Sequence, residues 1–181
     1  MNRTIDEAWN DLNLESTKYL LDQTEKYLEA TIETAKVLTD RAVSILQFSI
    51  PIILALVGVI FAQSNTILIH LSVISIVFLI VVSFKALRVY ELYEIHCLGS
   101  PPESLLVDDI LIMSDEHKEF AFIFNSVKLN NDMIIFNQNS NRQREKHLRF
   151  IITTVKTGCA FVLLYAIFWF PVFRFLFEVV V

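Results

Sequence analysis

The chain has 181 residues, a formal net charge of −5 and 54 % hydrophobic residues. That length suits one folding unit rather than two large domains. The acidic balance disfavours a nucleic-acid binder working by bulk electrostatics, so no DNA partner is expected. With only three Gly and four Pro, a loop-rich or all-β chain is equally disfavoured. Cys97 and Cys159 lie far apart, Cys159 within an apolar run, so free thiols in a reducing compartment are expected.

The opening stretch MNRTIDEAWNDLNLES has no apolar core and no small-residue cleavage site. It does not read as a signal peptide, and the first apolar run is expected to act as its own anchor. Neither a myristoylation glycine nor a prenylation box is present. Residues 1–43 instead form a polar helix with a heptad stripe. Leu14, Leu21, Leu28, Ala35 and Ala42 recur every seven residues, and Thr17, Thr24, Thr31, Leu38 and Ile45 fill the companion positions. Threonine is a weak core residue, because its hydroxyl needs a partner and its β-branch lowers helix propensity. The stripe therefore reads as a seam against helices of the same chain or of a second subunit.

Residues 44–84 are the transmembrane hairpin. The apolar runs 42–62 and 66–84 are separated by Gln63, Ser64 and Asn65 alone. About 20 residues at ~1.5 Å each span a ~30 Å hydrocarbon layer. In the first run Ser44, Gln47, Pro51, Ala55, Gly58 and Ala62 fall three or four apart, one small or weakly polar stripe on a bulky helix. Such a stripe suits close helix packing or a pore lining. Pro51 is expected to kink the helix by freeing the carbonyl of Gln47. In the second run Ser72, Ser75 and Ser83 carry the same two readings. His70, one turn inside, reads as an interfacial or a functional histidine. Lys36, Arg41, Lys85 and Arg88 flank the hairpin while its turn is uncharged, so both ends are expected in the cytoplasm.

Residues 85–149 read as a helical cytosolic segment. The second membrane helix continues outward until LGSPPESLL breaks it. A short helix is expected over about 101–112, by its Gly99, Ser100 and Pro101 signals. Another is expected from Ser114, Asp115 and Glu116 to about residue 137. Asn130, Asn131, Asn137, Asn139 and Asn141 form helix poorly, so a break is expected near 138–141. The cluster Arg142, Arg144, Lys146, His147 and Arg149 then anchors the chain against anionic lipid heads. Residues 150–181 read as a third transmembrane helix with its C-terminus outside, or as an interfacial helix. Lys156 and Arg174 bracket 17 uncharged residues, and both can snorkel.

Arg142 and His147 have the spacing Arg-x₄-His, which is similar to the signature of the HEPN ribonuclease superfamily. There an acid–base group sits beside a cation that stabilises the phosphorane. No zinc spacing, Walker loop, GxGxxG or GxSxG is present, so no metal or cofactor is expected. The layout resembles the small membrane effectors of prokaryotic anti-phage defence. One comparison is the SLATT-type two-helix proteins, inferred to form pores, from which the third apolar run departs. Another is the membrane accessory protein of type VI CRISPR systems, with its HEPN-like motif. The resemblance implies an all-α homo-oligomeric membrane protein that permeabilises the bacterial inner membrane during infection, with a cytosolic defence partner or RNA. The alternatives are a membrane-tethered RNA-cutting or RNA-binding module using Arg142 and His147, and a scaffold without a pore.

Overall fold

The computed structural model describes residues 12–62, 65–91, 95–97, 110 and 112–178. The fold is all-α. Helix α1 is Leu14–Ala62, α2 is Thr66–Glu91 and α3 is Asp115–Glu178. Helix α1 begins on a reciprocal cap: the Ser16 amide donates to Asn13 Oδ1 at 2.8 Å, and the Asn13 amide donates to Ser16 Oγ at 3.0 Å. Asn65 starts α2 directly after the hairpin turn, its Oδ1 accepting from the Ile67 amide at 3.0 Å. Helix α1 continues unbroken through Pro51. The expected helix over 101–112 lies almost wholly outside the described residues.

The break expected near 138–141 does not occur, and α3 runs through it into the third apolar run. Asparagine lowers helix propensity by roughly half a kcal/mol per residue. Tertiary hydrogen bonds outweigh that here. Asn137 is buried; its Oδ1 accepts from the His96 amide at 3.0 Å, and its Nδ2 donates to the His96 carbonyl at 3.0 Å and to Thr31 Oγ1 at 3.2 Å. Asn141 Nδ2 donates to the Thr31 carbonyl at 2.8 Å. Each such bond adds about 0.5–1.5 kcal/mol.

The chain divides into two compact units, Met1–Lys36 with Glu94–Arg142, and Val37–Tyr93 with Gln143–Val181. In the first unit, α1 buries Thr17, Leu28, Thr31 and Ala35. Facing them, α3 buries Phe124, Val127, Asn130, Ile134, Asn137 and Asn141. Partners rise together along both helices, Lys18 with Glu119 and Thr31 with Asn141, so the two segments are parallel. The heptad seam of α1 is thus closed by the same chain. Lys18 and Glu119 meet at 2.6 Å but are more than half exposed, which makes the pair a minor contributor.

The second unit is a three-helix packing. Its core is Leu38 and Ala42 of α1, Val82, Ala86 and Val89 of α2, and Leu148 and Ile151 of α3. Helix α2 is antiparallel to α3: His70 meets Tyr165, Phe78 meets Phe161, and Lys85 Nζ lies 5.1 Å from the centre of the Phe150 ring. The third apolar run therefore packs along α2 over its length. Gly158 permits this approach, since a Cβ there would stand 3.0 Å from Phe78 Cγ. The outer surface is apolar on every helix, with Phe48, Phe61, Phe84 and Phe168 at 65–86 % exposure. Water does not sustain such a surface, whereas hydrocarbon does. Among the described residues, three helices are long and apolar enough to cross a membrane, and the molecule is a multi-pass membrane protein.

Candidate functional site

The small and weakly polar residues of the hairpin separate into two sets. On α1, Ser44, Gln47, Pro51, Ala55, Gly58 and Ala62 are all exposed, because the period that places Ala42 and Ser49 in the core turns these outward. A Cβ added at Gly58 meets nothing within 4 Å. The Ser44 hydroxyl is satisfied within its own helix, donating to the Asp40 carbonyl at 2.9 Å. On α2 the serines point inward. Ser72 is buried, Ser75 and Ser83 are half-buried, and Ser83 Oγ lies 2.8 Å from Ser49 Oγ of α1. The α2 set lies among the helices of one chain, with Ser83 joined to Ser49, and the α1 set is left on the surface.

Between the helices of this unit, Ile52, Leu56, Phe78, Val82, Val155 and Val162 line an open apolar cleft of about 310 Å³, with Ser75 at its wall. This lining does not hydrate a water path. His70, near the start of α2, has its Nδ1 3.1 Å from the Tyr165 hydroxyl of α3. That contact couples the two helices at the hairpin-turn end.

Arg142 and His147 stand in the middle of α3 rather than at a helix start. Five positions at 100° each leave them roughly 140° apart around the axis. Arg142 is exposed and His147 half-buried. Burial, and then the nearby cations Lys85 and Arg88 of α2, hold the His147 pKa below its ordinary value. A neutral imidazole there can accept a proton, but it shares no helix face with Arg142. Stability follows the sign of this shift. The folded chain resists protonation, so stability is fully retained above about pH 6.5, the unperturbed histidine value, and falls as the pH drops through it. The thermal midpoint in detergent should therefore decline between pH 7.5 and 5.5. His147→Gln should flatten that decline, and an equal decline in the variant would remove His147 as the cause.

Two features escape a reading of the sequence. One is the Thr31, Asn137 and Asn141 cluster with its clamp on the His96 peptide. The other is Arg144, fully buried and engaged by neighbouring groups although it sits in a basic run. The signal for both was periodic. Asn130, Ile134, Asn137, Asn141, Arg144, Leu148 and Ile151 form one heptad series, and all are buried. Among the described residues, no three His, Cys, Asp or Glu side chains converge to hold a metal ion. Cys97 and Cys159 are exposed free thiols.

No family model matches the chain, and neither a curated protein nor a solved structure matches it.

Proposed function

We propose that this chain is the subunit of a homo-oligomeric membrane pore, acting as an anti-phage effector that depolarises or permeabilises the bacterial inner membrane. The outward α1 stripe from Ser44 to Ala62 carries this reading. Weakly polar side chains such as Gln47 gain nothing from lipid tails, and small residues such as Gly58 and Ala55 permit close helix approach. The chain's own helices leave the whole stripe uncovered. Neighbouring subunits would cover it, or it would line water at the centre of a ring. Lys36, Arg41, Lys85 and Arg88 would keep the hairpin ends and the N-terminal helix in the cytoplasm, where a defence partner or RNA would act on the first unit.

The test is conductance in planar bilayers. Gln47→Glu should raise cation over anion selectivity severalfold, since a ring of carboxylates attracts cations. His147→Ala should leave conductance unchanged. Unaltered selectivity in Gln47→Glu would take the stripe away from the pore. RNA cleavage abolished by His147→Ala would favour instead the tethered RNA-cutting module.

A further inference from the structure

Within the second unit, α1 and α3 leave a groove of about 460 Å³. It lies where both helices pass from polar to apolar sequence, on either side of residues 42 and 150. Its walls are the apolar side chains of Val37, Ile45, Leu148 and Ile152, and Asp40, Arg41 and Ser44 of α1 line its polar side. Both charged residues are exposed. Among the described residues, neither side chain has a hydrogen-bond or ion-pair partner. As neighbours one position apart on the helix, they make no ion pair with each other.

The groove thus offers an unmatched cation, an unmatched anion and an apolar channel at a membrane boundary. We infer that it holds one phosphatidylethanolamine molecule, with the phosphate on Arg41, the ammonium on Asp40 and an acyl chain between Ile45 and Ile152. Charge complementarity selects this occupant. A guanidinium binds phosphate through paired donors, and a primary ammonium donates hydrogen bonds to a carboxylate. A phosphatidylglycerol headgroup would satisfy Arg41 and leave Asp40 beside a like charge. A phosphatidylcholine headgroup carries no N–H to give to Asp40. The site requires membrane insertion alone. It meets the proposed pore stripe at Ser44 alone, and it does not depend on which leaflet this end faces.

The test is lipid competition read by native mass spectrometry on the detergent-solubilised 181-residue chain. Phosphatidylethanolamine, phosphatidylglycerol and phosphatidylcholine of matched acyl chains are supplied in equal amounts. The wild-type chain should retain phosphatidylethanolamine over each of the others by about fivefold, the worth of one headgroup–side-chain ion pair near a membrane surface. Asp40→Asn should abolish the preference over phosphatidylglycerol without lowering phosphatidylglycerol retention. Arg41→Gln should lower retention of both. Ile152→Trp, which fills the channel, should reduce retention of all three. Equal retention of the three lipids by the wild type, a preference for phosphatidylglycerol, or a preference unchanged in Asp40→Asn would each overturn the assignment. The wild-type competition decides by itself if a variant fails to fold.

Discussion

Replacing Asn137 by alanine should destabilise the first unit by about 3 kcal/mol, the sum of three lost hydrogen bonds at roughly 1 kcal/mol each. The side chain is 1 % exposed and links three parts of the chain: it clamps the His96 peptide from both sides and reaches Thr31 on α1. Its position inside a heptad seam adds register control, because a polar residue there is satisfied in one alignment of the helices only. Asn137→Asp is the sharper variant. The carboxylate keeps the volume and still accepts from the His96 amide, but it donates neither to the His96 carbonyl nor to Thr31. A buried unpaired charge is added as well. Both variants should lower the denaturant midpoint and speed hydrogen exchange in residues 124–141. A loss below about 0.5 kcal/mol, the size of an ordinary surface change, would mean that the clamp is ornamental.

The two glycines of the membrane unit should respond in opposite ways. Gly158→Leu should destabilise the α2–α3 packing by about 1–3 kcal/mol, the usual range for overpacking. A Cβ alone would stand 3.0 Å and 3.1 Å from Phe78 Cγ and Cδ1, and Phe78 is itself held near Phe161 with ring centres 6.2 Å apart. The larger side chain has to displace that ring. Gly58→Leu places the same bulk into open space and should leave the thermal midpoint of the solubilised chain nearly unchanged. Its effect should fall on association between chains, because Gly58 lies on the uncovered stripe. A drop in stability for both variants would place Gly58 in a contact within one chain. Unaltered stability in both would remove Gly158 from the packing.

Some of this architecture was legible from periodicity and some was not. The hairpin is written into two apolar runs of bilayer length, and the stripe through Leu28, Thr31, Ala35, Leu38 and Ala42 does become the buried face of α1. Those signals are local: one helix's pattern fixes one helix's face. Direction was not legible. The small residues on α1 and the serines on α2 look alike in sequence, yet one set turns outward and the other inward, because facing depends on what packs opposite. Continuity through 138–141 is not legible either, for the same reason. Asparagine propensity is a local quantity, whereas the partners of Asn137 lie 41 and 106 positions away. Composition groups Arg144 with its basic neighbours, although its place three residues after Asn141 and four before Leu148 puts it on the buried face.

On the proposed function, several copies of this chain assemble around the stripe from Ser44 to Ala62. The most direct measurement is the oligomeric state of the detergent-purified protein by light scattering. Helices are about 10 Å across, so about six of them in a ring leave a lumen one helix wide. The pore reading predicts one discrete species of about that many subunits or more, diminished by Gly58→Leu. A monomer or dimer has too few helices on the stripe side to enclose a lumen, and finding one would contradict the pore.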